Sequence, residues 1–564
     1  MIKSFISLVA VVMLGSSVVT AQNVEQGKKF LYYQRYKSAR ETLEKVVAAN
    51  PNDLEATYWL GQTLIKMKDS VAAKNLYSKL LQQNGNAPLV LAGMGQVELM
   101  EGKTNDARQR FESAISITKG KDIDVLNAVA RANIDARLGD ANYAIEKLNQ
   151  ATQVKKFNDP TTYLLLGDAY RKLIDGGNAV TNYEKAFAMN NTLAAAKWSI
   201  GKIYLTQQNG SYFIQGMEQA IAADANYAPA FYDLHVYYFD IDVNKSRENL
   251  QKYKAVADQG PELEYLEASM YYASRQYQQA VDASKELITK YADKADPRLY
   301  KLAAYSYAEL KDTASAKTYM DQYFGKQLAD DFVPKDYSFY AQILSRTKGS
   351  EAQAFAQYDK AIQLDTAKTG KMKLMEEAAR LAASIGDKEQ AAVWNMKKYY
   401  FDTAAASNRD LYDYGFAHYS AQHFVSAYTI FKIYQEKYPN EIYGYLWASK
   451  AAQVIDSTWE NGLAASETEL YAAKATEIDS VKLKSQIIYS YKLLAQYHNN
   501  VKKDRDSAIA YLEKVVAIDP TDKDAPRFIE TLKKSAKPAN TQKTGGGTSG
   551  TTKPNGSSSG SNKR

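Results

Sequence analysis

Small and bulky residues recur along this chain at a fixed long interval. Gly27, Gly61 and Gly95 stand 34 residues apart, and Ala39, Ala73 and Ala107 keep step with them at the same spacing. A constant period of that size signals a repeat architecture and is read before any other feature. In the first unit the recurring slots are Gly27, Phe30, Ala39, Leu43, Val46 and Pro51. Apolar residues three and four apart share one helix face, and a closing proline marks a helix stop. Each unit is therefore expected to hold two amphipathic helices joined by a short turn. One unit alone cannot bury its apolar stripe, so neighbours must stack into a continuous core.

Further copies run through Tyr163, Leu166, Gly167, Tyr170, Ala179, Tyr183 and Ala186, and through Tyr300, Ala304, Tyr307, Ala316 and Met320. Another uses Leu411, Gly415, Ala427, Phe431, Tyr434 and Pro439, and a last second helix uses Ala508, Leu512, Val515 and Pro520. This pattern resembles the tetratricopeptide repeat. The resemblance implies an all-α, right-handed α-solenoid of about 13–14 helix-turn-helix units over residues 22–535, with a capping helix near 522–534. The units near 371–400 and 441–479 fit poorly and are expected to be irregular. Breaks between sub-arrays are expected near 207–216 and 325–336, where the period fails.

The two ends read differently. Lys3, an apolar run from Phe5 to Leu14 and the small residues Val19-Thr20-Ala21 predict a signal peptide, residues 1–21. Even extended to Val19 the apolar stretch is 15 residues, short of the roughly 18 needed to span a bilayer. Cysteine is absent, which excludes a lipid anchor through cysteine, disulfides and thiolate metal sites. Residues 536–564 hold no aromatic, large aliphatic or acidic residue, and are expected to form a disordered basic Gly/Ser/Thr-rich tail.

Charge follows the same division. The 564 residues carry 71 Lys+Arg against 64 Asp+Glu, a net +7. One base lies in the signal and five in the tail, so residues 22–535 hold 65 bases against all 64 acids. A near-neutral array gives no support to nucleic-acid binding.

Candidate chemistry is sparse. Gly102-Lys103-Thr104 imitates the end of a phosphate loop, but Val97 stands where that loop needs glycine. Asp240, Asp242 and Asn244 imitate a calcium loop whose glycine is Lys245 and whose closing acid is Gln251. His418 and His423, five apart, lie about 140° apart around a helix and cannot share a metal from one helix. His418 falls in a slot that is aromatic elsewhere, which points to packing. No catalytic motif, metal set or cofactor fingerprint appears, so no enzyme activity and no cofactor are expected.

The tetratricopeptide resemblance implies that the first helix of each unit lines a concave groove that binds a peptide or a partner helix. The positions it places there are Tyr58, Trp198, Phe231, Tyr265, Phe339, Tyr412 and Tyr445, with Tyr238, Tyr272 and Tyr419 further along the same face. Aromatic rings offer large rigid contact area at small entropic cost, although packing between repeats uses the same slots. The expected function is a non-enzymatic scaffold of the cell envelope with protein or peptide partners and no nucleic acid. The expected setting is a bacterial periplasm, with secretion or attachment to the outer membrane through a partner as variants. The alternative is a carbohydrate-associated or cell-wall-associated protein, using the groove aromatics and the basic tail.

Overall fold

The computed structural model describes residues 23–534, so the expected signal peptide and tail lie outside the described residues. Among the described residues there are helices and turns and no strand. The chain divides into two compact units, Met1–Leu328 and Ala329–Arg564. This division lies inside the 325–336 stretch. The 207–216 stretch is instead a turn and the start of the helix Gly210–Ala223, which packs on Ala194–Thr206.

The described part of the first unit is nine helical hairpins, from a helix over 23–32 to Thr313–Lys326. The second is five hairpins, from Pro334–Ser345 to Arg505–Ile518, followed by the single helix Asp524–Lys534 at the expected cap position.

The recurrent small residue has a steric cause. A Cβ at Gly61 would stand 2.1 Å from the Tyr77 ring, and one at Gly95 2.4 Å from Phe111. Gly167 and Tyr183, and Gly415 and Phe431, repeat this pairing with gaps of 2.3 and 2.9 Å. In each pair the bulky partner lies sixteen residues later, on the second helix of the hairpin, and is fully buried. The first helix gives up a side chain so that the second can press a ring against its backbone. The intervening turn then starts the second helix by capping. Asp69, Asp175, Asp312, Asp387 and Asp504 each accept a backbone N–H from the first turn of the helix they precede.

The two poorly fitting units are hairpins as well. Each contains a helix of 17 residues, Lys368–Ser384 and Leu463–Asp479, where most other helices have 13 or 14. One added turn throws the 34-residue register off without breaking the hairpin.

Within the first unit the first hairpin meets the sixth and seventh. The Tyr33 hydroxyl donates to Asp224 at 2.7 Å, and the Ala195 N–H donates to the Tyr32 hydroxyl at 3.0 Å. The rings of Tyr32 and Tyr227 are 5.1 Å apart. Asp258 accepts from Arg35 Nε at 3.2 Å and from the Ser38 N–H at 3.1 Å. These contacts join residues 163 to 223 positions apart. The unit is therefore closed on itself by its own N-terminal hairpin, and Tyr227 is buried in the closure.

Candidate interaction surface

The expected groove positions do not form one open ladder. Tyr58 is only 2% exposed, in the field of Arg131 and Asp135, and burial pushes its phenol up to about 12. Phe231 is also buried. These two are corrected from groove to interior. Tyr58 packs in one cluster with Ala92, Leu126 and Val129 of the hairpins that follow it, and Lys66 reaches Asp135 at 2.9 Å across 69 residues. Trp198 is half-buried, its indole N–H held by Asp233 at 2.6 Å. Tyr265 lies 4.3 Å from the Arg298 guanidinium, which also pairs with Glu262 and Asp296. Burial raises the Tyr265 phenol to about 12. Tyr238 lies under Lys245, and Tyr272 packs between Tyr277 and Tyr305. Phe339 is half-buried at the start of the second unit.

The second unit holds an exposed aromatic face. Its carriers are the first helices of two successive hairpins, Asn408–Ser420 and Ile442–Ile455. Tyr412 and Phe416, one turn apart, have nearly parallel rings at 5.8 Å. Tyr443 and Trp447 stand one turn apart on the next helix and turn back towards them. Tyr412 meets Tyr443 at 5.6 Å, and Phe416 meets Trp447 at 4.9 Å, both edge to face. Tyr419 closes on Trp447 from below at 4.9 Å. Such pairs add about 0.5–1.5 kcal/mol beyond area burial, so the rings hold one another in place. Phe416 is 38% exposed and Tyr443 48%. Cations sit over two of the rings: Arg409 at 5.6 Å from Tyr412 and Lys450 at 4.9 Å from Trp447.

Three residues of this face, Phe416, Tyr443 and Trp447, are not among the sequence-derived positions. Phe416 follows Tyr412 by one helical turn and was reachable by that rule. Tyr443 and Trp447 were not, because the repeat pattern selects Tyr445. That ring packs on the cluster of Tyr471 and Ala475, from the second helix of its own hairpin, and Ile487, from the next, and its hydroxyl donates to the Pro439 carbonyl at 3.2 Å.

Beside this face lies a cavity of about 780 Å³, between Ile442–Ile455, Leu463–Asp479 and Lys484–Tyr497. Tyr443 lines both the cavity and the aromatic face.

The histidines need a correction. The helix bearing His418 ends at Ser420, and His423 precedes the next helix, so the angular argument for a single helix does not apply. Their Nδ1 atoms are 3.2 Å apart, and His423 Nε2 is 3.0 Å from Glu389. Burial, then His423, lowers the His418 pKa, while Glu389 opposes the shift. Among the described residues no group of three or more His, Asp or Glu side chains is placed to hold a metal. Asp242 of the calcium-loop imitation caps a helix by accepting the N–H groups of Asn244 and Lys245. Gly102 and Lys103 form the turn before Thr104–Ile117. No helix among the described residues is long and apolar enough to cross a membrane.

Stacked helical hairpins presenting side chains on an exposed face define a helical-repeat protein of the kind that binds other proteins. Models of the tetratricopeptide repeat match residues 30–97 and 502–522, near the two ends of the array. Together with the hairpins between them, these matches make the chain a tetratricopeptide-repeat protein of many repeats. Similar solved structures include the C-terminal part of a TPR repeat-containing protein from Cytophaga hutchinsonii. It is 25% identical, covering 47% of this chain and 98% of that one, with a TM-score of 0.31. Yeast Tom70 is 14% identical over 74% of this chain and 99% of its own, at a TM-score of 0.38. The Cut9–Hcn1 hetero-tetramer of the APC/C contains a chain 13% identical over 90% of this chain and 95% of that one, at 0.34. No curated protein matches the sequence.

Proposed function

We propose that this protein is a non-enzymatic scaffold of the cell envelope that holds a segment of a partner protein on the aromatic face of its second unit. The observation that carries the reading is the set Tyr412, Phe416, Tyr443 and Trp447, mutually packed across two helices with Phe416 and Tyr443 exposed. Rigid aromatic rings at a surface supply binding energy at small entropic cost. The envelope setting rests on the sequence: a basic residue, a short apolar run and small residues before position 22. Export to a bacterial periplasm, with cleavage after Ala21, follows from that pattern.

The test is capture of partners from periplasmic extract by the purified chain. Phe416→Ala with Tyr443→Ala is expected to abolish capture while the melting temperature stays within a few degrees. Capture that persists undiminished would remove the face from the account.

A second reading, binding to cell-wall carbohydrate, draws on the hydroxyl and amide groups of Ser449, Gln453 and Gln486 beside the tyrosines of the cavity. Co-sedimentation with purified cell wall, abolished by the same double substitution, would favour it.

A further inference from the structure

We infer that the cavity between Ile442–Ile455, Leu463–Asp479 and Lys484–Tyr497 anchors a bulky apolar side chain of an acidic partner segment. This inference rests on the scaffold reading and narrows it to a chemistry.

The cavity has a local origin. Leu463–Asp479 is 17 residues long where most second helices have 14. Its extra turn carries Ile478 and Asp479 up to the cavity, and the short connection to the next helix brings Lys482 and Leu483 beside them. Leu446, Leu483 and the buried Tyr471 make an apolar floor, and the rings of Tyr443 and Tyr489 stand at the rim, 48% and 63% exposed. About 780 Å³ falls within the range of sites that bury most of a ligand group.

The charges at this site are unequal. Lys450 and Lys482 are both exposed, against one lining carboxylate, Asp479. Asp479 already accepts the backbone N–H of Lys482 at 2.8 Å. Lys450 holds its ammonium over Trp447, where the aromatic face meets the cavity. Two ammonium groups beside an apolar cavity favour a segment with carboxylates flanking its apolar residue. They also penalise a basic one, so the same groups give attraction and discrimination.

The dimensions favour a chain over a small ligand. The aromatic face and the cavity share Tyr443 and together involve three successive first helices, Asn408–Ser420, Ile442–Ile455 and Lys484–Tyr497. At helix spacings of about 8–10 Å this surface runs roughly 20 Å. An extended segment of about six residues covers that length, with alternate side chains facing the protein. One bulky residue would enter the cavity, and a second, two or four positions away, would meet Phe416 and Tyr443.

The test uses an immobilised library of random dodecapeptides, probed with the purified chain from residue 22 to its end. Peptides that combine net negative charge with Phe, Trp or Leu are expected to dominate the bound set. Anisotropy titration of the best binders should weaken about tenfold with Lys450→Glu plus Lys482→Glu, and by a similar factor with Tyr489→Ala. All three residues are exposed, so unchanged melting curves will show that the fold is intact. Binders without charge preference, basic binders, or affinities that ignore these substitutions would overturn the inference. If no peptide binds while partner capture still depends on Phe416 and Tyr443, the inference falls and the scaffold reading stands. If capture fails as well, both fall. Cell-wall binding lost on Tyr489→Ala, without peptide binders, would assign the cavity to carbohydrate and overturn the inference.

Discussion

A methyl group at Gly61 would stand 2.1 Å from the ring of Tyr77, whose hydroxyl donates to the Tyr58 carbonyl at 2.9 Å. Neither helix of that hairpin has room to give, because both sides of the contact are fully buried. Gly61→Ala is therefore expected to cost about 1–3 kcal/mol by overpacking, although alanine is the better helix former. A lowered melting temperature checks this, whereas a rise would show that helix propensity outweighs the steric clash. The small slot was legible in the sequence, since Gly27, Gly61 and Gly95 recur in register. Its bulky partner sixteen residues on was legible too, as the aromatic of the second helix. The meeting of His418 with His423 was not, because it depends on where one helix stops.

Hairpins follow from local patterns, but closure of the first unit does not. Asp258 accepts from Arg35 and Ser38, more than 200 residues away, and no periodicity signals such a contact. Asp258→Ala leaves those donors without their acceptor, at roughly 1–3 kcal/mol. Backbone amides in 23–49 and 194–232 are then expected to exchange faster with solvent, with the second unit unaffected. Unchanged protection in both segments would mean that the first hairpin is held by its neighbours alone. Tyr58 is interior for a nearer reason: it packs in one cluster with Ala92, Leu126 and Val129 of the hairpins that follow it. Tyr445 differs again: it packs on the cluster of Tyr471, Ala475 and Ile487, whereas Tyr443 meets Tyr412 and Trp447 meets Phe416.

At the scale of the whole molecule, the two units differ in what they offer. In the first unit Tyr58, Tyr227 and Phe231 are enclosed, and stacking with closure should make its hairpins unfold together rather than one by one. In the second unit Phe416, Tyr443 and Tyr489 remain exposed beside a cavity. The proposed binding surface therefore lies in the second unit, a placement that composition and period gave no means of seeing. The most direct measurement is photo-cross-linking in intact cells, with benzoylphenylalanine placed in turn at Tyr443, Tyr489 and the exposed Val71 of the first unit. The account predicts a discrete partner adduct from positions 443 and 489 and none from 71. Adducts of equal yield from position 71, or from that position alone, would contradict it.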